Sequence, residues 1–249
     1  MRVYIGFDDT DHIDADQGTG KVARWFENQL PLGCYLEGVL RQQLLVHKNI
    51  PYTSHNSSAC LVIDIADASL IEMLKERAIA HLEKYALDGS DPGICIACNG
   101  QNDLSRLIAF GHACASRIMT QKQAMEAAVN VHLSGHGGTN DGIIGAAAAV
   151  GLTASGWSGR FIEYGRLRDF PEHLQVKELE DLNIQVISMD RDAKIPAPED
   201  RVYTKGWLRP RLLGSRAVLI VAPKSDKEWE SVGEKRSHKK ENTEEIITL

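Results

Sequence analysis

Asp8, Asp9 and Asp11 fall within four residues at the end of a run rich in Val, Tyr and Ile, and Asp14 and Asp16 come shortly after. Magnesium takes a few hard carboxylate oxygens together with phosphate oxygens, so acids released from a strand into a loop suit a nucleotide and magnesium site. The same acids can also form a solvated cluster of Asx turns. A calcium loop does not fit: counted from Asp8, the sixth place is Ile13 and the twelfth is Thr19, where Gly and Glu are required.

Gly18, Thr19, Gly20 and Lys21 follow at the start of a helical pattern, where free backbone N–H groups favour an anion. The string GTGK is not a P-loop, because the first glycine is missing at the required distance and Lys21 is followed by Val22. A second glycine loop, with His136, Gly137, Gly138, Thr139, Asn140, Asp141 and Gly142, opens into the helix that carries Gly145 and four consecutive alanines. Such a loop lets backbone approach a phosphate, or lets a helix lie close on a sheet. A polar loop with Tyr52, Thr53, Ser54, His55 and Asn56 separates two apolar strands. Arg209 and Arg211 can fork onto a phosphate or carboxylate, or protect a strand edge.

The elements that must hold these groups read as follows. Residues 2–7 form a strand that ends on the acids, and Val22, Trp25, Phe26 and Leu30 have helical spacing. Strands follow at 35–46 and 59–65, then an amphipathic helix at 68–85 and a short buried strand at 93–97. Helices are expected at 104–119 and 122–133. After Gly156 short strands dominate, giving an α+β chain of two units, residues 1–156 and 157–223. The charged residues 224–249 read as a solvated tail or a fraying helix.

Composition narrows the class. The chain has 249 residues, 43% hydrophobic and 25% charged, as in ordinary globular proteins. No apolar run reaches the roughly 18 residues of a membrane helix, and acids interrupt the N-terminus, so a cytoplasmic location is expected. Five cysteines, with one CxxC at Cys95 and Cys98 inside an apolar segment, fit a reducing compartment and a buried strand. A net charge of −6 opposes broad electrostatic binding of nucleic acid.

The strings IGFDDTD, NIPYTSHNSSA, DPG and GIIGAAAAVG followed by FIEYGR resemble, in the same order, motifs of the archaeal tRNA-isoleucine agmatinylcytidine synthetase (TiaS) family, over residues 1–168 and more weakly over 184–222. The resemblance implies a TiaS-like kinase domain that uses ATP and magnesium, followed by a smaller ferredoxin-like domain that helps hold an amine. It implies that Asp8, Asp9 and Asp11 hold magnesium and phosphates. On the same resemblance Thr19 matches a threonine that becomes phosphorylated, and GIIGA would be part of the ATP pocket. The chain departs from the family where PYKTRGN is replaced by Pro51 to Ser57, which removes a Lys and an Arg, and where QGTGK replaces a cysteine–threonine–threonine loop. It is expected to be a truncated form without the OB-fold and zinc-ribbon modules.

The resulting expectation is an ATP-dependent kinase or ligase that phosphorylates an oxygen of a small-molecule acceptor. Asp8, Asp9, Asp11, Thr19, Lys21 and His55 carry the chemistry. Thr10, Gly18, Gly20, Gly137, Gly138, Thr139, Gly142 and Gly145 hold the nucleotide. Tyr52, Ser54, Asn56, Arg209 and Arg211 face the acceptor. Two rival readings stand beside it: tRNA cytidine agmatinylation with RNA-binding modules supplied by another chain, and a non-catalytic nucleotide sensor.

Overall fold

The computed structural model describes residues 1–12, 15–52, 55–165 and 167–233. Asp14, Ser54 and the end of the expected tail, residues 234–249, lie outside the described residues. Among those described, no helix is long and apolar enough to cross a membrane.

Strand β1 (Arg2–Asp8) is buried on both faces, which is why it reads as a nearly continuous apolar run. The chain continues through α1 (Thr19–Trp25), a 3-10 turn (Phe26–Gln29), β2 (Cys34–Gln43), β3 (Ser57–Ile65), α2 (Leu70–Tyr85) and β4 (Gly93–Cys98). These strands pair antiparallel in the order β4, β1, β3, β2. A βαββαβ string with that pairing is the ferredoxin-like split βαβ arrangement. Val3, Ile5 and Phe7 pack on one face with Phe26, Leu74, Ala78 and Leu82 from the turn and the second helix.

The other face is covered by α5 (Gly142–Ala154), on which α3 (Ser105–Cys114) and α4 (Gln121–Ala127) pack, and β5 (His132–Gly135) extends the sheet beside β4. The helix expected over 122–133 therefore ends early, because residues 132–135 satisfy their backbone groups against β4. Helix α5 is buried nearly all round, as its apolar composition requires. A methyl at Gly6 would overlap the Ala146 carbonyl oxygen, and one at Gly93 would overlap the Gly142 backbone. The helix thus lies on β1 and β4 at backbone contact. Cys95 and Cys98 occupy a fully buried strand, and all five cysteines are free.

The remaining elements are β6 (Arg160–Glu163), β7 (His173–Gln175), α6 (Val176–Glu180), β8 (Ile184–Ser188), β9 (Arg201–Tyr203), β10 (Arg211–Leu213), β11 (Arg216–Ser225) and β12 (Glu228–Ser231). Three expectations change here. Strand β6 pairs with both β2 and β10, so one twelve-stranded sheet runs through the predicted boundary at residue 157. The ferredoxin-like pattern lies in residues 2–98 rather than 157–223. In the latter segment α6 is the one α-helix among the described residues, and β8 runs parallel to β11. Finally, residues 224–231 are not a solvated tail. Charged neighbours hide an anchor, Trp229, which is 5% exposed and donates its Nε1–H to Asp200 Oδ2 at 2.8 Å.

Gly6→Ala tests the helix–sheet contact. The clash is with backbone, which cannot swing aside, so urea denaturation is expected to show a loss of about 1–3 kcal/mol. An unchanged midpoint would contradict backbone contact between α5 and β1.

Candidate functional site

Strand β1 ends by delivering Asp8, and the chain then turns at Asp9, whose φ of 53° is in the left-handed region. The turn is held from several sides. The backbone N–H of Asp91 favours the ionised form of Asp9. Thr10 is fully buried, with its N–H 3.4 Å and its Oγ1 3.1 Å from Thr19 Oγ1, and its carbonyl accepts from Leu87 N–H at 3.1 Å. Thr19 Oγ1 donates in turn to Asp11 Oδ1 at 3.4 Å. Thr10 is thus a fastener inside the loop, not a surface for nucleotide, and what it fastens is Thr19.

Burial sets the charge state of these acids. It raises Asp8 well above the usual carboxylate range, Asp9 and Asp11 add repulsion, and the backbone N–H of Asp9 opposes the rise. Asp9 is pushed to about 6, by burial first and then by the charges of Asp91 and Asp11, against the Asp91 N–H. Among the described residues no group of three or more His, Cys, Asp and Glu side chains converges on a metal position. Magnesium does not need one, since it is usually held by one or two carboxylates plus phosphate oxygens. Adjacent carboxylates enclosed at a cost to their ionised forms fit an ion that arrives with phosphates.

Of the two readings of the second glycine loop, the backbone contacts support a helix lying close on a sheet. Thr139 donates its N–H to Asp91 Oδ1 at 2.7 Å and its Oγ1–H to Asp91 Oδ2 at 2.8 Å. A side chain at Gly138 would overlap the Asp91 carboxylate, and the Gly138 φ of 55° is itself in the left-handed region. The anion cradled by this loop is the chain's own carboxylate. Gly142 is pressed against the backbone of Asp91 and Gly93, and Gly145 leaves the space that the Asp8 carboxylate fills. Gly137, Gly138, Thr139 and Gly142 therefore brace Asp91 and the helix start, and Gly145 makes room for an acid.

Three cavities meet around the acids. One of about 340 Å³ has an apolar wall of Leu44, Ile50, Ile118, Met119 and Ile144, is lined also by Asn49, Arg117, Thr120, Gln121 and Asp141, and reaches Asp8, Asp9, Pro51 and Asn56. The second, about 310 Å³, shares those last four residues and adds Asp11, Thr19, Tyr52, His55 and Asp91. The third, about 290 Å³, shares Asp11, Thr19, His55 and Ser57 with the second and is lined by Gly18, Gly20, Lys21, Arg24, Arg41 and Arg168. Apolar, acidic and cationic compartments thus follow one another.

The predicted site residues sort unevenly over this arrangement. Asp8, Asp9, Asp11, Thr19, Lys21, His55, Tyr52, Asn56, Gly18 and Gly20 line it. The Asn56 amide is spent on the Leu45 carbonyl at 2.6 Å, which fixes the loop. Arg209 lies outside the three cavities, 3.8 Å over the Trp207 ring, and donates to the Leu208 carbonyl. Arg211 is exposed on β10 opposite Arg160 and Val218 and lines none of them. Arg24, Arg41 and Arg168 line the arrangement without having been singled out in the sequence, and Ser57 and Asp91, marked there only within NIPYTSHNSSA and DPG, join them. The spacing of Lys21 and Arg24, three apart on one helix, was a readable signal for a shared face. Arg41 and Arg168 come from β2 and from the turn after β6, and no local pattern joins them.

Asp9→Asn follows from the charge state. A carboxyl that ionises near 3.9 unfolded and about 6 folded favours the folded state fully below the first value and loses that contribution as pH rises through the second. Asn also accepts the left-handed turn. Without nucleotide, the variant is expected to melt at least about 2 °C higher at pH 8, with the gain gone at pH 4. Equal melting at both pH values would contradict the enclosed, proton-seeking Asp9.

No family model and no curated protein matches the chain. Among solved structures it is similar to a complex of TiaS with an isoleucine tRNA and ATP, at 22% identity and TM-score 0.52, over 61% of this chain and 36% of that one. It is also similar to a complex of TiaS with an isoleucine tRNA, AMPCPP and agmatine, at 17% identity and TM-score 0.51, over 79% and 49%. A third similar structure is a tRNA fluorescent labelling enzyme, at 21% identity and TM-score 0.51, over 61% and 36%. The chain spans between about a third and a half of these proteins, and the likeness establishes a TiaS-like fold.

Proposed function

We propose that this chain is an ATP- and magnesium-dependent enzyme that transfers the terminal phosphoryl group to an oxygen. The observation that carries the reading is the meeting of an apolar cavity and an acidic cavity on Asp8 and Asp9. A nucleotide has the same two parts: an apolar, stackable base and a polyphosphate that travels with a divalent cation. The base fits against Ile50, Ile118, Met119 and Ile144, and the phosphates extend toward Asp11 and Thr19. Asp8 and Asp9 would hold magnesium, which neutralises phosphate charge when bound. The TiaS-like fold supports this assignment, since neighbours with that fold have been solved with ATP and with AMPCPP.

Thr19 would take part covalently. Its Oγ1 proton already points to Asp11. As Oγ1 bonds to the γ-phosphorus, the bond from that phosphorus to the bridging oxygen breaks, ADP departs and the Thr19 proton passes to Asp11. Thr10 holds the oxygen in place by two contacts of its own. A phosphothreonine formed there lies on the boundary with the cationic cavity, from which an acceptor oxygen can take the phosphoryl group.

Two measurements test the reading. ATP with magnesium is expected to raise the melting temperature, and Asp8→Ala to remove both that rise and ATP turnover, the latter by at least about a hundredfold. Mass spectrometry after incubation with ATP is expected to find phosphate on Thr19 and none in Thr19→Val. An Asp8→Ala protein that still responds fully to ATP would refute the nucleotide site. Full turnover in Thr19→Val would refute the covalent step alone.

A further inference from the structure

The nucleotide and magnesium placed by the proposed function leave the cationic compartment without an occupant. Among the described residues Lys21, Arg24, Arg41 and Arg168 line it together with the Asp11 carboxylate. Behind it stands Glu163, whose Oε2 is 3.7 Å from Arg24 and 3.2 Å from Arg168. Two guanidinium groups share that carboxylate, and Arg209 adds a third cation on the far side of Arg168. The ionised form of Arg24 is disfavoured by burial and then by the Arg168 charge, and Arg209 is brought down to about 10 by burial and then by Arg168 and Arg24. Arg24, Arg168 and Arg209 together therefore hold more positive charge than Glu163 offsets.

Its position decides what that charge is for. The compartments are ordered apolar, acidic, cationic, and the last two join at Asp11, Thr19, His55 and Ser57. A nucleotide that fills the first two ends at that junction, so whatever enters the third faces the phosphoryl group. We infer that the third compartment binds the acceptor, and that the acceptor is a small molecule carrying a phosphate monoester. A dianion matches several cations better than a carboxylate does, and planar guanidinium groups bind phosphate in a fork geometry. A cavity of about 290 Å³ with Gly20 and Ile162 in its wall suits a compact ligand. A cationic amine would be repelled there. The inference rests on the donor-site assignment above, because that assignment puts the transferred group at the junction.

The test uses inorganic phosphate as the probe for the compartment, titrated into the full chain with and without saturating AMPPNP and magnesium. Phosphate is expected to bind in both conditions without displacing AMPPNP. Arg24→Gln/Arg168→Gln is expected to weaken phosphate at least about tenfold while AMPPNP affinity changes less than twofold. Should the double variant not fold, Arg168→Gln alone, at a side chain 44% exposed, is expected to give the same direction. Competition between phosphate and AMPPNP, or equal weakening of both in the variants, would assign the compartment to the nucleotide tail and overturn the inference while leaving the proposed function standing. Acetate binding as tightly as phosphate, or displacement of phosphate by a short single-stranded RNA that leaves AMPPNP bound, would also overturn it. If AMPPNP does not bind at all, the proposed function fails, and the arginine variants still report whether the compartment takes phosphate.

Discussion

Helix α5 meets β1 at Gly6 and β4 at Gly93 with no side chain between the backbones at those two points, and the geometry of the site depends on that contact. Gly6 and Gly93 on the strands and Gly142 and Gly145 on the helix each sit where a methyl would overlap backbone or the Asp8 carboxylate. The close approach encloses Asp8 between a helix and its own loop, which raises the cost of ionising it. It also brings the segment before α5 against Asp91, whose backbone N–H in turn favours the ionised form of Asp9. Ile144 and Gly145 then wall the apolar cavity beside the same acids. A sheet–helix spacing set by glycine thus positions the acids, their brace and the neighbouring apolar surface together.

The second organising feature is the separation of charge along one path. The chain as a whole carries −6, yet it places four Lys and Arg side chains in one cavity next to a cavity with four aspartates. Global charge therefore says little about this site, because fields at such short range are set by the nearest groups. Thr19 stands at the boundary, fixed by Thr10 and aimed at Asp11. Opposite charges on either side of one anchored hydroxyl suit a reaction that moves a phosphoryl group between two anionic molecules.

Local patterns in the sequence carried the elements well. The strand that ends on Asp8, helix α2 and the buried CxxC strand each follow from apolar periodicity, which burial enforces. Proximity of Asp8, Asp11, Thr19 and Lys21 was legible because all lie within one short stretch. The glycine loop was ambiguous, since a loop built to cradle an anion looks the same whether the anion is a ligand or Asp91, some 48 residues away in sequence. Short strands after Gly156 looked like a separate unit because the pairing of β6 with β2 spans more than a hundred residues and leaves no periodic trace. Trp229 escaped for a related reason: one buried aromatic residue outweighs a charged neighbourhood once its partner, Asp200, is in reach.

A crystal structure of the chain with AMPPNP and magnesium bears most directly on the nucleotide site. The base should lie against Ile50, Ile118, Met119 and Ile144, with the γ-phosphate beside Asp11 and Thr19 and the metal on Asp8 or Asp9. A nucleotide bound instead in the larger cavity of about 670 Å³ lined by Arg2, Glu37, Tyr164 and Arg216 would contradict that assignment.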